Sequence, residues 1–341
     1  MSKKFSALVV LAIMLTTFSM ATTVVAYAQT GFDGRNTASA MYVWNDSDAE
    51  TQWGIERIFN GVYDGYIPTA DVDLAIVDTG IDLDHPDLMA NIVWGYDAVR
   101  GRTADDGNGH GTHCAGIAGA IRNAMGVVGV YSNVDLYAIK VLGPSGSGTF
   151  TDIAEGVYAA CKGPDGKEGT ADDADVISMS LGGTSDSAEL HNAIIHAYNM
   201  GIVIVAAAGN SGDGNPSTTE ISYPAAYPEV IAVGATDMND AIASFSNSGP
   251  YVEVAAPGVS IYSTYKGGIY KTLSGTSMAC PHVAGLVALI IAVKGKMPVG
   301  TFSDTGTSTI RGYLHSTALD LGTSGWDASF GYGLIQASQL I

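Results

Sequence analysis

The chain has 341 residues, 47% of them hydrophobic, with 34 Asp and Glu against 15 Lys and Arg, a formal net charge of −19. So negative a chain is a poor ligand for nucleic acid and for acidic membrane surfaces, which attract basic patches; it fits a soluble protein that binds cations or lives in salty surroundings. Three cysteines cannot all pair internally, which excludes a disulfide scaffold, and Cys114, Cys161 and Cys280 read as buried thiols.

Lys3 and Lys4, an apolar run from Phe5 to about Val25, and Ala26-Tyr27-Ala28 give the basic start, apolar middle and A-x-A end of a secretory signal peptide over residues 1–28. The run is nearly long enough to span a bilayer, so an uncleaved anchor competes. The A-x-A site and the Thr/Ser content favour cleavage after Ala28 and a secreted product free of the membrane. Residues 29–47 are polar and aperiodic, a linker or loose N-terminal arm. Residues 48–341 then form one domain with a substantial core.

Within that domain Val72–Val77, Val134–Val141, Ala174–Met179, Ile202–Ala207 and Val230–Gly234 read as short apolar strands. Gly111–Ala120, Thr151–Ala160, Ala188–Asn199 and Cys280–Val293 read as helices between or after them. Continuous apolar strands alternating with helices predict an α/β fold, a mostly parallel central sheet with helices on both faces. Ligands in such folds bind beyond the carboxyl ends of the strands, where Asp78 and Asn210 lie. Pro281 is expected in the first turn of the last of these helices, where its missing N–H costs nothing. The Leu286–Val293 run is too short to cross a membrane and reads as core.

Asp78 ends a strand in Ala75-Ile76-Val77-Asp78-Thr79-Gly80, His110 opens a helix in Asn108-Gly109-His110-Gly111-Thr112-His113, and Ser277 opens another in Gly275-Thr276-Ser277-Met278-Ala279. Singly, the Asp reads as a turn residue or N-cap and the Ser as an N-cap. Together, in the order Asp, His, Ser, they resemble the subtilisin-like serine proteases. Val141-Leu142-Gly143, Gly146-Ser147-Gly148, Ser178-Met179-Ser180-Leu181-Gly182-Gly183, Ala206-Ala207-Ala208-Gly209-Asn210 and Ala255-Ala256-Pro257-Gly258 extend the resemblance from about Trp53 to Gly333. From Ile202 onward the chain resembles secreted archaeal subtilisins.

The resemblance implies a secreted endopeptidase acting on polypeptides. Ser277 would attack the scissile carbonyl, His110 would move the proton, and Asp78 would orient and stabilise the imidazolium. Asn210 would bind the oxyanion beside the Ser277 N–H, and His113 would be a structural neighbour. Gly146-Ser147-Gly148 and Ser180-Leu181-Gly182 would flank an extended peptide that adds a strand between them. Gly182, Ala207 and Ser222 map to the pocket for the residue before the cut; all are small and uncharged, which predicts a preference for large apolar side chains. Phe150, Ile153 and Leu181 map to a second apolar pocket, with ordinary core packing as the alternative for Phe150 and Ile153.

The same resemblance implies structural Ca²⁺, held by Asp87, the Asn123 side chain and the carbonyls of Ile121, Met125 and Val127. The ligand from the mature N-terminus falls near Ala49, which has no side-chain oxygen, so Asp48 or Glu50 would have to replace it. The acidic insertion Asp165–Asp175 lacks EF-hand spacing and reads as a solvated loop rather than a further calcium site. Secreted relatives carry an inhibitory folding domain after the signal peptide, and the span from Ala28 to Asp48 is too short for any folded unit. The chain is therefore expected to fold unaided, or with a prodomain or inhibitor in trans, and to act as a monomer. A processing protease for one partner and a non-catalytic binding protein on this fold are the competing readings.

Overall fold

Strand β1 (Asp73–Asp78) alternates two faces: Leu74 and Ile76 enter one apolar cluster, Ala75 and Val77 another. Both faces are apolar because helices cover both. The structure, a computed structural model, describes residues 52–61, 68–100, 102–338 and 340; the signal peptide and arm lie outside them. After α1 (Trp53–Ile58) and β1 come β2 (Ile92–Asp97), α2 (His110–Gly119), β3 (Asp135–Lys140), α3 (Phe150–Ala160), β4 (Val176–Met179) and α4 (Ala188–Asn199). Then follow β5 (Val203–Ala207), β6 (Val230–Thr236), β7 (Val252–Pro257), β8 (Ile261–Tyr265), β9 (Ile269–Leu273), α5 (Thr276–Lys294) and α6 (Ile310–Thr317).

Seven strands form one sheet in the order β2-β3-β1-β4-β5-β6-β7, every pair parallel, while β8 and β9 form a separate antiparallel hairpin. The five strands expected from sequence are all present, with shifted ends; β2 and β7 complete the sheet. Helices α1, α2, α5 and α6 share a core on one face and α3 and α4 on the other. The chain crosses from one half of the sheet to the other between β1 and β4, the position at which open parallel sheets bind ligands.

Two expectations about α5 are corrected. The helix begins at Thr276, not Cys280, which puts Pro281 beyond the first turn, where proline normally removes a helical hydrogen bond. The acceptor left without a donor, the Ser277 carbonyl, is taken by Ser180 Oγ at 2.8 Å and Cys114 Sγ at 3.4 Å. At 19 residues α5 is also long and apolar enough to cross a membrane, but 83% of its apolar window is buried against the sheet and α2, so it is a core helix. All three cysteines are buried and free.

The Asp165–Asp175 insertion is only partly solvated. Asp173 and Asp175 are buried; Asp173 Oδ2 accepts from the Gly169 N–H at 2.6 Å and the Thr170 N–H at 3.2 Å, and Asp175 Oδ1 pairs with Lys296 Nζ at 2.6 Å.

Candidate active site

Asp78 is the last residue of β1 and fully buried; strand alternation turns its side chain, like Leu74 and Ile76, to the face that α2 covers. Helix α2 reaches it because Gly111 has no Cβ: one there would collide with the Gly80 carbonyl oxygen and stand 3.1 Å from Asp78 Cβ. Gly109, the N-cap, has φ 111°, a left-handed conformation that favours glycine, and a Cβ there would strike the Tyr265 ring. These two glycines set His110 as the first helical residue, its Nδ1 2.8 and 2.9 Å from the two Asp78 oxygens. That contact fixes Nδ1 as the protonated nitrogen and leaves Nε2 free as a base. Burial opposes protonation of His110, but the Asp78 charge outweighs it and holds the imidazole pKa well above its ordinary value.

His113, one turn on, is different. Its Nε2 lies 3.1 Å from the Ile261 carbonyl and 2.9 Å from that of Lys271, tying α2 to the β8–β9 hairpin. Burial lowers its pKa to about 4, so it stays neutral. Ser263 Oγ and Thr264 Oγ1 add bonds to the His113 and Thr112 carbonyls at 2.9 and 2.7 Å. The hairpin is therefore the brace of the His110 helix. Its sequence signal was a pair of β-branched and aromatic runs around Lys266-Gly267-Gly268.

Ser277 is the second residue of α5, half-buried, with its backbone N–H among the orphan donors of the helix start. Its hydroxyl donates to the Ser180 carbonyl at 3.2 Å; among the described hydrogen bonds none joins it to His110. Asn210 follows β5 and is anchored through its oxygen, which accepts from the Thr276 N–H at 2.8 Å and Thr276 Oγ1 at 3.0 Å. Among the described hydrogen bonds its amide nitrogen has no acceptor, and it can donate toward an anion beside Ser277.

A cavity of about 560 Å³ opens at this edge of the sheet. Gly146, Ser147, Gly148, Phe150, Ser180, Leu181 and Gly182 line it together with His110 and Ile153. Ala207 and Ser222 do not line it; Ser222 Oγ lies where a Cβ on Gly182 would collide, behind the Ser180–Gly182 segment. Asn108 and Leu142, from the quoted motifs, line the cavity too, as do Leu190 and Tyr223, which were not singled out from the sequence. Nothing local marks the last two, because α4 and an isolated bridge between Gly183 and Tyr223 bring them there.

The expected cation loop does gather around Asp87. This fully buried carboxylate accepts from Asn123 Nδ2 at 3.0 Å, the Val127 N–H at 3.0 Å and the Tyr270 hydroxyl at 2.7 Å. The carbonyls of Ile121, Met125 and Val127 accept no hydrogen bond among the described residues, so a carboxylate, an amide and three unclaimed carbonyls make an oxygen set that fits a hard cation. With Asn123 Oδ1 bonded to the Met125 N–H at 2.9 Å, the Asn123 amide must turn over to present its oxygen. Asp48, Ala49 and Glu50 lie outside the described residues. Gln52 grips the Val128 backbone by two side-chain bonds of 2.8 and 2.9 Å, closing the adjacent turn.

A parallel sheet carrying an Asp–His pair and a helix-start serine at its carboxyl edge is the arrangement of a serine hydrolase. The Subtilase family model matches residues 69–333. The chain is 50% identical over 267 residues to "Subtilisin DY" of Bacillus licheniformis, covering 78% of this chain and 89% of that one. It is 47% identical over 248 residues to "Thermitase" of Thermoactinomyces vulgaris, 72% and 80% of the two chains. To "Subtilisin Savinase" of Lederbergia lenta it is 44% identical over 287 residues, 84% and 96% of the two chains. The chain belongs to the subtilase family. It is a serine endopeptidase and acts on polypeptides.

Proposed function

We propose that Ser277, His110 and Asp78 are the catalytic triad of this endopeptidase. The observation that carries the assignment is the double contact of His110 Nδ1 with buried Asp78, which aims Nε2 as a base. With a peptide bound, Ser277 Oγ rotates from the Ser180 carbonyl to His110, gives up its proton to Nε2 and attacks the scissile carbonyl. The Ser277 N–H and Asn210 Nδ2 receive the developing oxyanion, aided by the positive end of α5. The protonated His110, stabilised by Asp78, then passes the proton to the leaving amine; water entering by the same route hydrolyses the acyl-enzyme.

The substrate lies extended between Gly146–Gly148 and Ser180–Gly182. The apolar cavity walls of Leu142, Phe150, Ile153, Leu181 and Leu190, together with small, uncharged Gly182, support broad cleavage with preference for large apolar residues, rather than processing of one partner. Asp87, Asn123 and the carbonyls of Ile121, Met125 and Val127 would hold a structural calcium ion, which supplies charge compensation to the buried carboxylate and takes no part in the chemistry. The leader 1–28, arm 29–47 and catalytic domain 48–341 describe a secreted, monomeric enzyme, with a prodomain or inhibitor acting in trans.

The test is labelling of the purified protein by an active-site serine probe, with a peptide-library digest in parallel. Labelling is expected to disappear in Ser277→Ala and turnover to fall by several powers of ten in Ser277→Ala and His110→Ala, without adding in the double variant. Full labelling of Ser277→Ala would overturn the assignment.

A further inference from the structure

The carboxyl ends of β1 and β3 meet beside the active site, and the last residue of β3 is a buried lysine. Asp78 and Lys140 are in-register partners across the parallel ladder. Alternation places Lys140, like Leu136 and Ala138, on the sheet face that α2 covers, the face of Asp78 itself. The two strand ends are locked together: the Val141 and Leu142 N–H groups both donate to the Asp78 carbonyl, at 2.9 and 3.0 Å. Lys140 Nζ donates to the next carbonyl along, that of Thr79.

Lys140 is only 7% exposed, and among the described residues no carboxylate forms an ion pair with it. Asp97, its in-register partner on the other side, turns its oxygens to the N–H groups of Val99, Arg100, Arg102 and Thr103. A buried ammonium with one neutral acceptor is costly, and where packing alone is at stake an apolar side chain serves as well or better. What the bond holds is Thr79. Its N–H donates to Asp78 Oδ1 at 2.7 Å, and its Oγ1 accepts from the N–H of Gly111, in the first turn of α2, at 2.9 Å. Gly80 follows at φ 98°, with its carbonyl oxygen against Gly111. Thr79 therefore links the carboxylate to the start of the helix that carries His110, and Lys140 fixes its peptide group.

We propose that Lys140 is a positioning residue for the reaction: its ammonium holds the Asp78–Thr79–Gly80 turn so that the Asp78 carboxylate meets His110 Nδ1. The inference rests on the reading of Asp78 and His110 as triad members. Among the described hydrogen bonds Lys140 makes none to either of them, and it acts through Thr79. Without the ammonium the Thr79 carbonyl is released and the turn relaxes. Carboxylate and imidazole then leave the geometry that proton transfer needs, where a displacement of about 1 Å costs about 10²-fold in rate.

The experiment measures kcat and KM of the full chain and its variants on a fluorogenic peptide, each normalised to folded protein by circular dichroism. Lys140→Met is expected to lower kcat about tenfold or more with KM within about twofold, and Lys140→Arg, which keeps charge and donors, to stay within about threefold of the parent. Lys140→Gln, whose amide is too short to reach Thr79, replaces Lys140→Met if the latter does not fold, with the same expectation. Because Lys140 acts on Asp78, the same substitution in an Asp78→Asn background is expected to cost less than about threefold. An unchanged kcat in Lys140→Met or Lys140→Gln, an equal loss in Lys140→Arg, or the same loss with and without Asp78 overturns the inference. Asp78→Asn alone separates it from the triad reading, which fails if that variant keeps the parent's kcat.

Discussion

Ser180→Ala offers a sharp test of how the nucleophile's helix is held. The Ser277 carbonyl would ordinarily bond to the N–H of residue 281, but that residue is proline, and Ser180 Oγ donates instead at 2.8 Å. Removing the hydroxyl leaves only the Cys114 thiol at 3.4 Å, a weak donor. A buried carbonyl that loses its donor costs about 1–3 kcal/mol; with the thiol retained the lowest quarter of that range applies, about 1–1.5 kcal/mol. In a domain of this size that lowers Tm by roughly 2–6 °C. Pro281→Ala restores an N–H in the ordinary helical position, so in that background Ser180→Ala should cost less than about 0.5 kcal/mol, a coupling near 1 kcal/mol in the double-mutant cycle. Urea and thermal unfolding of the four proteins, all carrying Ser277→Ala to prevent self-digestion, give the cycle. Equal losses in both backgrounds would show that the Ser180 hydroxyl does not stand in for the proline's missing donor.

Asn210→Ala is expected to reduce kcat by about 10²–10³ with little change in KM, the loss of one oxyanion donor; a KM effect alone would make Asn210 a binding residue. Because Asp78 holds the His110 pKa above its ordinary value and the base must be neutral, kcat/KM should rise with pH on a limb above that of an ordinary histidine. Asp78→Asn, besides slowing the reaction, should move that limb to lower pH, and an unmoved limb in a pH-rate profile would assign it to another group. Asp87→Ala is expected to shrink the gain in Tm that calcium gives over chelator, and a gain equal to the parent's would remove the ion from the Ile121–Val127 loop.

The positions of Asp78, His110 and Ser277 were legible because each sits where a periodic apolar segment starts or stops, and those punctuation points survive folding. The start of α5 was not, because the preference of proline for the first turn is a local rule, and here Ser180 and Cys114, distant in sequence, satisfy the carbonyl it orphans. Strand β2 (Ile92–Asp97) escaped because exposed and half-buried residues alternate along it and Gly95 interrupts its apolar pattern.

Helix α5 carries half-buried Ser277 in its first turn and packs nearly all its remaining length into the core. A molecule whose core loosens therefore loses the proposed nucleophile and one proposed oxyanion donor in the same event, and it becomes an unprotected polypeptide for its intact neighbours. Damage converts catalyst into food: a half-unfolded copy does not persist as a clumsy protease, and loss of active protein depends on encounters between molecules as well as on each molecule's own unfolding.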